Sequence, residues 1–118
     1  MPSPITTHVL DTSRGCPATG VPVELFRMDQ GDNQDGDTSL GKGETDSDGR
    51  IASGLIDASD FSPGLYRIEF NTQRYFESTG TDAFYPQVSI QFIVSPGNDH
   101  YHVPLLLSPF GYSTYRGS

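Results

Sequence analysis

Short alternating runs, separated by glycine- and proline-rich turns, constrain the fold of this 118-residue chain more than any other feature. The clearest run is residues 88–94, where apolar residues alternate with Ser89 and Gln91. A period of two is typical of a strand with one buried face. The chain has 13 Gly and 9 Pro, so turns are frequent, and its apolar content is only 34%. These features predict an all-β antiparallel sandwich of seven or eight strands, forming a single domain over residues 1–118.

The alternation and the turn residues also locate the elements. We expect strands at residues 5–12, 21–28, 39–44, 64–70, 87–94, 100–107 and 112–115, with a further short strand starting at Arg50. One short helix is expected at residues 71–79, where Asn71 or Thr72 can cap the start and Gly80 the end. Its Tyr75 or Phe76 must pack on the sheets, because two turns are unstable alone. Residues 13–20 and the acidic residues 29–37 are predicted to be loops.

Charge and composition exclude several classes of function. The net charge is −8, which leaves no basic surface for a nucleic acid backbone but does not exclude a small anionic ligand. A single cysteine, Cys16, excludes a disulfide framework within the chain. No apolar run approaches the length of a membrane span, and neither a signal peptide nor a peroxisomal C-terminal address is recognisable. We therefore expect a soluble, cytoplasmic protein that binds neither nucleic acid nor membrane.

The three histidines are the first candidates for chemistry. His8 lies on the first predicted strand, and His100 and His102 share one face of the last long strand. Two imidazoles at this spacing can bind a metal, and His8 could complete a three-histidine zinc site with an open position. The pattern is weak, however, and structural histidines are the alternative.

Two arginines admit a solvated and a functional interpretation. Arg50 follows a predicted hairpin turn at residues 46–49, and Arg116 lies in the tail. A guanidinium group suits bidentate binding of a planar anionic heterocycle. Ser118 has no neighbouring base in the sequence, and no Gly-x-Ser-x-Gly motif is present, so an acyl-serine mechanism is not indicated.

Three separated motifs carry a resemblance that covers nearly the whole chain. They are Thr6-Thr7-His8-Val9-Leu10-Asp11-Thr12 with Gly15-Cys16-Pro17-Ala18, then Thr45-Asp46-Ser47-Asp48-Gly49-Arg50 with Phe84-Tyr85-Pro86, and finally the segment from Tyr101 to Ser113 with the terminal Tyr115-Arg116-Gly117-Ser118. In these motifs the chain resembles the transthyretin-like family, and within it the enzyme branch. Where this chain has His8, Arg50 and His102, the carrier branch has lysine, glutamate and threonine, and it lacks the terminal tetrapeptide.

The resemblance implies a fold and an activity. It implies two four-stranded sheets with a short helix after the fifth strand, and a homotetramer with sites at the dimer–dimer interface. The implied reaction is hydrolysis of 5-hydroxyisourate in urate degradation, by water attack on a ring carbonyl carbon without a metal or organic cofactor. A non-catalytic carrier of small ligands is the alternative.

The resemblance also implies roles for individual residues. His8 and His102 would form the acid–base pair around the attacking water, and Arg50 would position the substrate and offset developing charge. Ser118 would be catalytic too. His8, Arg50, Tyr115 and Arg116 would bind the substrate, and His100 would have a supporting role.

Overall fold

The computed structural model describes residues 4–28 and 37–117. Within these ranges the chain forms eight strands and one α-helix. They are β1 (Ile5–Asp11), β2 (Cys16–Pro17), β3 (Pro22–Arg27), β4 (Thr38–Glu44), β5 (Gly64–Phe70), α1 (Thr72–Ser78), β6 (Val88–Val94), β7 (Tyr101–Ser108) and β8 (Gly111–Thr114).

The strands form two four-stranded sheets, which confirms the predicted sandwich. The first sheet has the order β2-β1-β7-β8, and the second has the order β4-β3-β5-β6. Neighbouring strands are antiparallel, except that β1 and β7 at the centre of the first sheet are parallel. The first and the last long strand of the chain are therefore direct neighbours.

Alternation along β1 and β7 separates the core from the outer surface. Ile5 and Val9 of β1 are fully buried, as are Leu105 and, almost completely, Leu107 of β7. The residues between them point outward and are only half-buried, among them Thr6, His8 and Leu10 of β1 and His102 of β7. The polar candidates therefore lie on the outer face of the first sheet, as the period of two predicts.

Helix α1 is held by its cap and by one buried hydrogen bond. The Asn71 side chain accepts from the Arg74 amide at 3.2 Å, which confirms the predicted cap. Tyr75 and Phe76 are both buried, and the Tyr75 hydroxyl donates to Oδ2 of Asp11 at 2.7 Å. This bond ties the helix to the end of β1. In the described ranges, no helix has the length and apolar character to cross a bilayer.

Two sequence predictions about elements differ from the structure. The strand expected from Arg50 is wrong: Arg50 makes a single bridge, and a turn follows in which the Gly54 amide donates to the Ile51 carbonyl at 3.1 Å. Residues 13–20 were expected to be a loop, but Cys16 and Pro17 pair with the end of β1. Of the acidic loop predicted at residues 29–37, positions 29–36 lie outside the described residues.

Candidate active site

The register of β1 against β7 brings two histidines together. Thr6 lies opposite His102, and His8 lies opposite Pro104. His8 and His102 are thus diagonal neighbours on the outer face, although 94 positions separate them in the sequence. Both side chains are half-buried.

A tight turn places Arg50 beside His8. Oδ1 of Asp46 accepts from the amides of Asp48 and Arg50 at 2.9 and 3.1 Å, and Gly49 adopts a φ of 77°. The Gly49 carbonyl then accepts from the Val9 amide at 2.8 Å, and Arg50 forms an antiparallel bridge with His8. The predicted hairpin turn is confirmed, and its function in the fold is to dock Arg50 on the edge of β1 away from β7.

The environment of His102 favours a neutral imidazole. Burial of the ring, with the positive charge of Arg50 and the neighbouring His8 and His100, lowers the pKa of His102 below its ordinary value. Nδ1 of the ring lies 2.8 Å from the Thr6 hydroxyl. A neutral, anchored imidazole is the form that can accept a proton near neutral pH.

The tail returns to the same place after β8. Gly117 forms an antiparallel bridge with His102, and its amide donates to the His102 carbonyl at 2.8 Å. Arg50, β1, β7 and the tail therefore lie side by side, with the two histidines in the middle. Tyr115, two residues before Gly117, is 58% exposed.

Arg116 and Ser118 are not placed with the histidines by the described structure. The Arg116 guanidinium lies 4.6 Å from the centre of the Tyr101 ring, a cation–π contact on a residue of the core-facing side of β7. Its charged group is therefore directed away from the outer face within the subunit. Ser118 lies outside the described residues.

His100 is exposed and contributes less directly. Its Nε2 is 3.4 Å from the Thr6 hydroxyl, which also contacts His102. Among residues 4–28 and 37–117, no group of three or more His, Cys, Asp or Glu side chains is arranged to hold a metal ion.

The clefts of the subunit differ in their relation to this row. A small cleft of ≈ 90 Å³ adjoins the site and is lined by Thr6, Arg50, Ile51 and residues around them. A wider cleft of ≈ 710 Å³ lies on the second sheet beside α1, with Glu24, Lys42 and Arg74 in its wall. The histidines are absent from the described lining of the wider cleft. The candidate residues therefore lie on an open face and not in the wider cleft.

Thr6 and Gly117 are site residues that the sequence did not single out. The alternation already placed Thr6 on the face of His8, and that signal could have identified it. Gly117 carries no side chain, so only the pairing of the tail with β7 reveals its contact with His102.

The comparisons with known proteins match one family over nearly the whole chain. The model of the HIUase/Transthyretin family matches residues 5–117. The 5-hydroxyisourate hydrolase of Salmonella dublin is 47% identical over 114 residues, which are 97% of this chain and 80% of that protein.

Solved structures of both branches share the fold. The Klebsiella pneumoniae 5-hydroxyisourate hydrolase is 36% identical with a TM-score of 0.79, covering 97% of this chain and 98% of that one. Sea bream transthyretin in complex with thyroxine is 33% identical with a TM-score of 0.87, covering 97% of this chain and 94% of that one. A structure of (S)-allantoin synthase also matches, at 38% identity and a TM-score of 0.85, but the chain spans 43% of its length. Fold likeness alone therefore does not separate an enzyme from a carrier.

Proposed function

Since the chain belongs to the HIUase/Transthyretin family, we propose that it hydrolyses 5-hydroxyisourate in urate degradation, with His8, Arg50 and His102 at the centre of its active site. The curated relatives are hydrolases, and the identity of 47% to the Salmonella dublin protein supports the same enzyme class for this chain. The single observation that supports this site best is the convergence of the three side chains on one face, from three separate parts of the chain.

The proposed reaction uses the properties of this row. Water attacks a ring carbonyl carbon of the substrate, a C–O bond forms, and the C–N bond of the six-membered ring breaks. One histidine of the pair takes a proton from the water, and the other supplies the proton that the leaving nitrogen needs. Arg50 binds the planar anionic substrate and offsets the charge that develops on the carbonyl oxygen. The product is 2-oxo-4-hydroxy-4-carboxy-5-ureidoimidazoline.

The tail completes the proposed pocket. Tyr115 and Arg116 wall the site and bind substrate, the first through its exposed hydroxyl and the second through its backbone, because the Arg116 guanidinium packs on Tyr101. Ser118, which follows Gly117 in the sequence, takes part in catalysis in this proposal. No metal or organic cofactor enters this scheme, and a reaction that a chelator leaves unchanged would support that part of it.

We propose further that the active form is a homotetramer with its sites at the dimer–dimer interface. Large apolar side chains are exposed at both sheet edges, with Ile93 on β6 at 69% and Phe110 before β8 at 71%. The outer face that carries the histidines is only half-buried in the subunit, so a second subunit could close it. Sedimentation should give about four times the mass of 12.9 kDa. An active monomer would refute this assembly.

The assay is the decay of freshly generated 5-hydroxyisourate, followed by absorbance. We expect the wild type to accelerate the spontaneous decay and His102→Asn to lose most of that acceleration. Decay at the uncatalysed rate with both proteins would refute the hydrolase and favour a carrier of small ligands, which the likeness to sea bream transthyretin makes the second candidate. Equal acceleration by both would remove His102 from the chemistry.

A further inference from the structure

Thr6 makes the closest side-chain contact to His102 in the described site. Its Oγ1 lies 2.8 Å from Nδ1 of His102, a distance typical of a good hydrogen bond. It also lies 3.4 Å from Nε2 of His100, a longer contact. One hydroxyl thus stands between two imidazoles, across the parallel pair β1 and β7.

A threonine hydroxyl has one proton to donate and two lone pairs to accept with. If Thr6 donates its proton to Nδ1 of His102, the neutral ring carries its own proton on Nε2 and cannot accept another there. If Thr6 accepts from Nδ1, it can donate its proton to Nε2 of His100. Both arrangements give the hydroxyl a matching donor and acceptor, because Nε2 of His100 can carry a proton in the first and accept one in the second. Only the second arrangement leaves Nε2 of His102 with a free lone pair, which a general base at that atom needs.

We infer that Thr6 is a positioning residue that holds His102 in the tautomer with Nδ1 protonated, so that Nε2 faces the substrate as the general base. This inference rests on the proposed hydrolase function. It assigns the base to His102 and the proton donor to His8. It also gives His100 its supporting role, as the acceptor for the Thr6 hydroxyl.

The charges around the ring agree with this assignment. The charged and titratable groups that act on His102 are Arg50 from the turn, His8 from β1 and His100 from its own strand. All three disfavour a protonated ring, and burial acts in the same direction. A neutral ring carries its proton on either Nδ1 or Nε2. The Thr6 hydroxyl at Nδ1 stabilises the Nδ1–H tautomer when it accepts that hydrogen bond.

The first test is a set of three variants in the absorbance assay. Thr6→Val keeps the shape of the side chain and removes the hydroxyl, and kcat should fall about 10- to 100-fold with little change in KM. Thr6→Ser returns the hydroxyl and should restore kcat to within about 3-fold of the wild type. The matched control is Thr7→Val, which removes the hydroxyl that donates to the Val103 carbonyl on the core-facing side and should leave kcat unchanged. Equal kcat in Thr6→Val and the wild type would overturn the inference.

The second test measures directly which nitrogen of the His102 ring carries the proton. The chain has three histidines, so ¹⁵N labelling of histidine gives a spectrum of three rings that can be assigned by substitution. Above the pKa of His102, its Nδ1 should carry the proton in the wild type and in Thr6→Ser, and the population should shift towards Nε2–H in Thr6→Val. A wild-type ring protonated on Nε2 would overturn the inference. An inactive wild type would instead refute the proposed function, and the spectrum would still decide the tautomer.

Discussion

Gly117 lies so close to the ring of His102 that a side chain at position 117 would overlap the ring unless the ring or the tail moved. A Cβ built on Gly117 would stand 2.6 Å from Cδ2 of His102 and 3.2 Å from Cγ. The backbone of Gly117 has no positive φ, so the glycine is required by this contact and not by the conformation of the chain. The imidazole is therefore fixed on two sides, by Thr6 at Nδ1 and by the tail at Cδ2.

The first prediction concerns this contact. Gly117→Ala should displace the His102 ring or the tail, and kcat should fall about 10- to 100-fold because small misplacements of a catalytic group are costly. The free energy of unfolding should change little, since Gly117 is outside the core. Steady-state kinetics and urea denaturation measure the two effects.

The control for this variant is a glycine of the same tail region. A Cβ on Gly111 would meet nothing closer than Oγ of Ser108 at 3.7 Å, an ordinary contact. Gly111→Ala should therefore keep its activity. If both variants are equally active, the ring of His102 is not held by Gly117.

The second prediction concerns the turn that carries Arg50. Gly49 and Gly20 both have a positive φ, 77° and 81°, so alanine at either position costs about 1–2 kcal/mol of conformational strain. A Cβ on Gly49 would also lie 2.3 Å from the Val9 carbonyl oxygen, whereas a Cβ on Gly20 would meet no atom within 4 Å. Gly49→Ala should move the turn, separate Arg50 from His8 and lower kcat/KM at least about 10-fold.

Gly20→Ala serves as the matched control for strain. The same conformational strain should lower its free energy of unfolding by a similar amount, and its activity should equal that of the wild type. Urea denaturation and the absorbance assay together test the pair. A Gly49→Ala variant that behaves like Gly20→Ala in both measurements would show that the turn does not position Arg50.

The third prediction is a pH dependence. Burial and the cation of Arg50 lower the pKa of His102, so the base stays unprotonated to lower pH than an ordinary histidine would. Arg50→Gln removes the repulsion of the protonated ring, so the pKa of His102 should rise. The pH below which kcat/KM falls should therefore move upward, in addition to the loss of substrate binding.

Arg74 offers the control, because it is an exposed arginine of α1 outside the site. Arg74→Gln should leave the pH profile in place. A ¹⁵N titration of the His102 ring measures the same pKa without substrate. An unshifted titration in Arg50→Gln would contradict the electrostatic coupling between the two residues.

The fourth prediction concerns stability. Asp11 is 1% exposed, and its carboxylate accepts hydrogen bonds from Ser13, Tyr75 and the Arg14 amide. Burial opposes ionisation, but these bonds outweigh it, and the pKa of Asp11 lies below its ordinary 3.8. Asp11→Asn should cost about 1–3 kcal/mol near neutral pH, because the amide keeps only one of the two acceptor oxygens, faces a buried donor with an NH2 group and carries no charge.

The sign of the pH effect follows from the lowered pKa. Asp11 contributes its full stabilisation at a pH above its pKa in the unfolded chain. This stabilisation is lost as the pH falls through the lower pKa of Asp11 in the folded protein. The stability difference between the wild type and Asp11→Asn should therefore narrow in acid. Denaturation at several pH values, at constant protein concentration, checks this, and a difference that stays constant down to low pH would contradict it. Tyr75→Phe, which removes one of the donors, should cost less.

Local sequence patterns predicted much of this fold because each strand needs one apolar face. The runs that became β5 and β6 alternate clearly, and the run that became β1 alternates weakly but is rich in β-prone residues. The Asn71 cap and Gly80 bound the helix close to its observed ends. The pattern failed after Arg50, where Ala52, Ser53 and Gly54 are too small to anchor a strand. It also failed at Cys16 and Pro17, since a two-residue strand has no period to detect.

The site was less predictable from local patterns because it depends on pairing between distant parts of the chain. Alternation placed His8 and His102 on strand faces, but it could not show that β1 and β7 are parallel neighbours. The direction of the Arg116 side chain depends on the position of Tyr101 in the folded tail. Both facts are tertiary, and no window of the sequence contains them.

The parallel pairing of β1 with β7 has a consequence for biosynthesis. Strand β1 receives its central partner β7 only after the segment from β2 to β6 has been made. Contacts between such distant segments form slowly, because a long loop must close before they stabilise the chain. A polypeptide that stops before β7 cannot bring His102 to His8, so catalytic competence would report that translation had passed β7.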